Sequence, residues 1–222
     1  MSNKINLKKG FDIPIEGRAD LSYYDASDQS YFAIKPTDFL GVIPKMIVKE
    51  NDLVKIGTPI FFDKNKPEVL FSSPVSGKIV SINRGPKRVI QEVVILSDKK
   101  EEHENFKCKD IRNKEDVIET LLSSGLWPLI RQKPYSVIPD PNDIPKSIFI
   151  SSFDSSPLAP YYNFILKDNE DDFQHGIDII SRLTKGKVYL NIDANSDQHN
   201  IFNNITGVVT NVFSGPHPSG NV

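Results

Sequence analysis

Between Gly41 and Leu96 short apolar runs alternate with residues that turn the backbone, and that rhythm restricts the segment to β structure. The runs are Val42-Ile43, Met46-Ile47-Val48, Pro59-Ile60-Phe61-Phe62, Val69-Leu70-Phe71, Ile79-Val80-Ser81-Ile82 and Val89 to Leu96. Asn51-Asp52, Gly57-Thr58, Pro74 with Gly77, and Gly85-Pro86 separate them. Strands this short, at this spacing, predict a small sandwich or barrel. Sixteen prolines against 12 glycines also favour fixed turns over a helical bundle.

One stretch is more specific. Val48 to Ile60 turns at Asn51-Asp52 and carries Gly57 where a positive φ is needed. A hairpin follows, then Phe71-Ser-Ser-Pro74-Val-Ser-Gly77-Lys-Ile79-Val80. This arrangement resembles the barrel-sandwich hybrid fold of biotinyl and lipoyl carrier domains, in which glycines allow tight corners between two small sheets. The resemblance makes Lys64 the candidate for an acylated lysine, with Lys66 beside it in the hairpin between Phe62 and Val69. The carriers' E-T-D-K-A and A-M-K-M sequences are missing, and Pro67 stiffens the tip.

From residue 99 the character changes. Asn113 can cap a helix, with Asp116 three residues on, Val117, Leu121 and Leu122 on one face, and Gly125 as the stop. Residues 147–153 read as a buried strand. Phe173, Ile177, Ile180 and Thr184 recur with helical spacing in 169–185, and Asp171 and Asp172 suit that helix's first turn. Residues 187–193 and 207–213 read as two further strands. Strand, helix, strand makes a βαβ unit and a partial Rossmann-like sheet. The expected division is a segment 1–40 packing on the β module, a β domain 41–98, and an α/β domain 99–222. The last residues, Gly215 to Val222, are turn material, so the α/β domain is expected to continue in a longer polypeptide.

Charge excludes one function class. The net charge is −2 and neither half has the basic excess of a nucleic-acid binder. The tightest basic cluster is Arg84, Lys87 and Arg88, readable as a solvated loop or as a docking patch. No apolar run approaches the roughly 18 residues of a membrane span, and the first residues lack the apolar core of a signal peptide. No G-x-G-x-x-G or G-x-x-x-x-G-K-[ST] offers a phosphate cradle. The single cysteine, Cys108, and the scattered His103, His175, His199 and His217 give no zinc or iron–sulfur spacing.

Two groups remain as pocket candidates. His217 lies between Pro216 and Pro218, after a βαβ strand, where open α/β sheets bind ligands; it is equally readable as part of a rigid turn. Trp127, Arg131 and Tyr135 are close enough to line an aromatic-edged pocket, or to form a packing corner.

The motifs taken in order resemble the A-type subunit family of the Na⁺-translocating NADH:quinone oxidoreductases (Na⁺-NQR). They are Lys8-Lys-Gly-Phe-Asp-Ile-Pro-Ile-Glu-Gly17, Val69 to Lys78, Ile82 to Val89, Ser124-Gly-Leu-Trp-Pro-Leu-Ile-Arg-Gln-Lys-Pro-Tyr135, Phe153-Asp-Ser-Ser-Pro-Leu-Ala159 and Gly215-Pro-His-Pro-Ser-Gly220. The resemblance implies a peripheral protein on the cytoplasmic face of the bacterial inner membrane. Its partners would be the other five subunits of a Na⁺-pumping NADH:ubiquinone reductase, above all an integral membrane subunit. It would stand near the quinone step, ubisemiquinone to ubiquinol. No cofactor is expected on this chain: ubiquinone is the complex's substrate, contacted at most, while NADH, flavins, iron–sulfur and Na⁺ belong to other subunits. The isolated chain is expected to be inactive.

Overall fold

The computed structural model describes residues 2–17, 19–24, 29–106, 111, 113–196 and 200–220; Cys108 and His199 lie outside these. Its strands are β1 (Asn3–Asn6), β2 (Tyr31–Ile34), β3 (Pro44–Met46), β4 (Leu53–Val54), β5 (Pro59–Asp63), β6 (Lys66–Ser72), β7 (Gly77–Arg84), β8 (Ile90–Ser97), β9 (Ile148–Ser151), β10 (Val188–Asp193) and β11 (Val209–Ser214). Its α-helices are α1 (Lys114–Ser123), α2 (Tyr162–Ile165) and α3 (Glu170–Ile180). The chain forms two compact units, residues 24–143 and residues 1–23 with 144–222.

The first unit is the expected β module. One sheet has the order β2-β8-β7-β4 and the other β3-β5-β6, with antiparallel pairing throughout. Strand alternation sends every second side chain inward. Ile60, Phe61, Val69 and Phe71 of one sheet and Ile79, Val93 and Ile95 of the other are all at most 2% exposed. Phe61 and Phe71 stack at 4.5 Å, and Phe39 meets Phe71 edge-on at 4.7 Å.

The turns that made this segment legible hold one another. Asn51 takes a positive φ, and the backbone N–H of Lys49 donates to Asp52 Oδ2 at 3.0 Å. Gly57, at φ +92°, donates its N–H to the Ser73 carbonyl, and Ser73 donates back to the Thr58 carbonyl, both at 2.9 Å. Ser76 Oγ donates to Asp98 Oδ1 at 2.6 Å, which holds the Asp98 carboxyl below the usual carboxylate range.

Residues 113–143 pack with this unit. The Asn113 side chain accepts the Asp116 N–H at 2.9 Å, starting α1 as its spacing predicts. Val117 is fully buried, and Gly125, at φ +72°, ends the turn directly over Ser72.

The second unit is a parallel sheet of order β1-β11-β10-β9. β9, α3 and β10 form the predicted βαβ element. One sheet face supplies Ile150, Leu190, Ile192 and Val212 to a core with Tyr162, Leu166, Phe173, Ile201 and Phe202. The opposite face carries a ladder of amides in register across three strands. Asn3 Nδ2 donates to Asn211 Oδ1, and Asn211 Nδ2 to Asn191 Oδ1, both at 3.0 Å. Asn191 and Asn211 are buried, so each bond replaces water that is no longer within reach. Asn211→Leu leaves the Asn191 carbonyl oxygen without its donor and should cost about 1–3 kcal/mol. The loss should appear as faster hydrogen exchange in β10 and β11, with the β unit unchanged.

The segment 1–40 is divided between the units, which corrects the expectation that all of it packs on the β module. Residues 2–23 belong to the α/β unit, because β1 pairs with β11 along its whole length. Residues 29–40 belong to the β unit through β2, which pairs with β8.

Candidate functional site

The C-terminal ends of β9, β10 and β11 all open on one side of the α/β unit, the edge at which parallel sheets bind ligands. A cavity of about 250 Å³ lies there, its walls including Ser152, Asp154, Ser155, Tyr161, Asp193 and Asn200. Both carboxylates are turned to their own loops. Asp154 Oδ1 accepts the Ser156 N–H at 2.8 Å and the Ser156 hydroxyl at 2.6 Å; Asp193 Oδ1 accepts the Asn195 N–H at 3.0 Å. No lysine or arginine lines the cavity among the described residues. Two carboxylates without a cation or a glycine-rich turn do not fit a pyrophosphate.

His217 fastens the rim of this edge. Ser155 Oγ lies 3.0 Å from His217 Nδ1 and 2.9 Å from the Ser219 carbonyl. A hydroxyl has one proton and a carbonyl can only accept, so that proton goes to Ser219 and Nδ1 carries its own. The His217 N–H donates to Asp12 Oδ1 at 2.8 Å, and the Phe11 N–H to the His217 carbonyl at 2.9 Å. Gly10 and Gly215 permit this approach: a Cβ on Gly10 would stand 2.2 Å from the His217 carbonyl oxygen, and one on Gly215 2.2 Å from that of Leu7. The motifs at 8–17, 153–159 and 215–220 are therefore parts of one clasp, far apart in sequence and closed in space.

The other candidates lie in the β unit. Trp127 is 4% exposed and its indole Nε1 donates to the Pro139 carbonyl at 3.1 Å, so the ring is a buried anchor. Arg131 donates to the Pro128 carbonyl and sits 5.7 Å from the Phe39 ring centroid. Tyr135 is 77% exposed. These residues share one short ridge of chain, with Trp127 turned inward and Tyr135 outward. Arg84, at the end of β7, and Lys87 and Arg88, on the β7–β8 loop, are exposed, and none has an ion-pair partner among the described residues. His103 and His175 are exposed, and no described cluster of three or more His, Cys, Asp or Glu side chains could hold a metal ion.

Lys64 stands exposed at the β5–β6 hairpin tip, the position of an acylated lysine in the carrier fold, while Lys66 Nζ is committed to the Ile138 carbonyl at 2.9 Å. The tip is braced through Asp63, whose Oδ1 accepts the N–H groups of Ile43 and Asn65. The peptide that carries Lys64 is expected at its sequence mass, without a lipoyl or biotinyl addition. Mass spectrometry of protein from its native host checks this.

Comparison with known proteins decides the family. Residues 5–98 match the NqrA N-terminal barrel-sandwich hybrid domain, and residues 112–222 match the NqrA second alpha/beta domain. The chain belongs to the NqrA family. Relatives named as the A-type subunit of Na(+)-translocating NADH-quinone reductase are 37% identical in Tolumonas auensis, 40% in Yersinia pseudotuberculosis and 38% in Neisseria meningitidis, each over 97% of this chain. The chain spans about half the length of these NqrA relatives, 49% in each. The NqrA models meet between residues 98 and 112, close to the expected domain boundary, whereas the compact β unit extends to residue 143 through α1 and Trp127. An NqrA assignment does not favour the lipoyl-type alternative at Lys64. No helix among the described residues is long and apolar enough to cross a membrane.

Proposed function

We propose that the chain serves, within an NqrA protein, as a peripheral part of a Na⁺-translocating NADH:ubiquinone oxidoreductase. The reading places it on the cytoplasmic face of the bacterial inner membrane, bound to the other subunits and above all to an integral membrane one. Its contribution is to assembly and to the quinone end of the reaction, where ubisemiquinone becomes ubiquinol. NADH oxidation, flavin and iron–sulfur electron transfer and Na⁺ passage are carried by partner subunits.

The observation that carries this reading is the match to both NqrA domains along nearly the whole chain.

Deletion of the chain from its host tests the proposal. Membranes without it should lose Na⁺-stimulated NADH:quinone reduction, and restoring the gene should return it. Unchanged activity in the deletion would refute the proposal.

A further inference from the structure

The ridge at residues 126–135 displays apolar side chains in a form already fixed for binding. Leu129 is 70% exposed, Tyr135 77% and Leu126 48%; Leu40, next to the Phe39 ring that Arg131 covers, is 63% exposed. Trp127 pins the ridge from within, the Leu129 and Ile130 N–H groups close its turn at 3.0 Å, and a bridge between Gln132 and Val137 closes the loop that carries Tyr135. A rigid backbone holding leucine and tyrosine outward loses little conformational freedom on docking, and several exposed apolar side chains on one short segment suit an interaction surface. Arg131 and Lys133 flank the apolar tips, and neither has an ion-pair partner among the described residues.

We propose that this ridge docks a protein segment belonging to another component of the complex, apolar at its centre and rimmed by carboxylates. Two cations are fewer than the clusters of about four to eight that hold a chain on an anionic lipid surface. A second copy of the ridge would set like charges against each other, so self-association is disfavoured. The inference rests on the reading of the chain as part of a larger complex, and goes beyond it by naming the surface and the chemistry of its partner.

The test compares the complex extracted from membranes of cells carrying wild type, Leu129→Asp, Lys133→Glu or Leu53→Asp. Leu53 is 80% exposed on β4, away from the ridge, and serves as the control. Leu129→Asp should reduce the chain recovered with its partner subunits at least tenfold, and Lys133→Glu severalfold. Leu53→Asp should match wild type, and the thermal transition of the purified chain should be unchanged in all three. Leu129→Asp recovered at the wild-type level overturns the inference. So does attachment left intact while binding to phosphatidylglycerol vesicles or self-association in sedimentation is lost, which would assign the ridge to lipid or to a second copy. Wild-type chain recovered without any partner contradicts the reading of the chain as part of a complex, a result distinct from failure of the Leu129 variant alone.

Discussion

Phe71→Ala should lower the stability of the β unit by about 3–5 kcal/mol. Phe71 is 2% exposed and joins two aromatic contacts, a stack on Phe61 and an edge contact with Phe39. Truncation removes the transfer free energy of the ring and leaves a cavity between the sheets that stiff β-branched neighbours, Val69 and Ile79, are poorly able to fill. It also unseats Phe39, and with it the Arg131 guanidinium that covers that ring. Calorimetry should show the β-unit transition falling by on the order of 15 °C, with the α/β transition unmoved. A shift of only a few degrees would mean that the ring is not a core element.

Gly77→Ala should be of similar size, on the order of 3 kcal/mol or more, for a different reason. Gly77 has φ +154°, which side chains rarely adopt, and a Cβ there would lie 2.0 Å from the Leu96 carbonyl oxygen and 2.9 Å from its carbon. Both atoms are backbone of β8, so no rotamer change relieves the overlap. β7 must part from β8 at the pairs Gly77–Ser97 and Lys78–Leu96, and the short β4 loses its partner at Val54. Gly41→Ala isolates the steric contribution. Gly41 shares a positive φ but has nothing within 4 Å of the added carbon, so the change should cost only about 1 kcal/mol. Equal losses at the two positions, read by urea denaturation followed through Trp127 fluorescence, would contradict the close-approach argument.

The β module was legible because its signals are local. Each turn is made by residues adjacent in the sequence, such as Asn51-Asp52 and Gly57-Thr58, and each inward side chain follows from alternation along a single strand. The βαβ element was legible for the same reason: Phe173, Ile177 and Ile180 repeat with the helical period. β1 was not. Asn-Lys-Ile-Asn contains one apolar residue and is exposed throughout, and what makes it a strand is pairing with β11 some two hundred residues later. The clasp escaped likewise. His217 stood out because two prolines flank it, yet its partners Asp12 and Ser155 are distant in the chain and no periodicity links them.

Proximity along the sequence left Trp127, Arg131 and Tyr135 readable as a pocket lining or as a packing corner. Three such residues within one short segment suggest a lined pocket, but the turn at Pro128 points Trp127 into the core and the loop closed by Gln132 and Val137 points Tyr135 into solvent. The division of residues 111–143 was also hidden. Composition changes near residue 99, whereas packing changes later, because Val117 and Trp127 bury against the β unit.

The most direct test of the account is immunoprecipitation of this chain from detergent-solubilised membranes of its host, with Na⁺-stimulated NADH:quinone reduction measured in precipitate and supernatant. The account predicts that the activity comes down with the chain, together with flavin contributed by the co-precipitated subunits. Recovery of the chain alone, with full activity left in the supernatant, would contradict it.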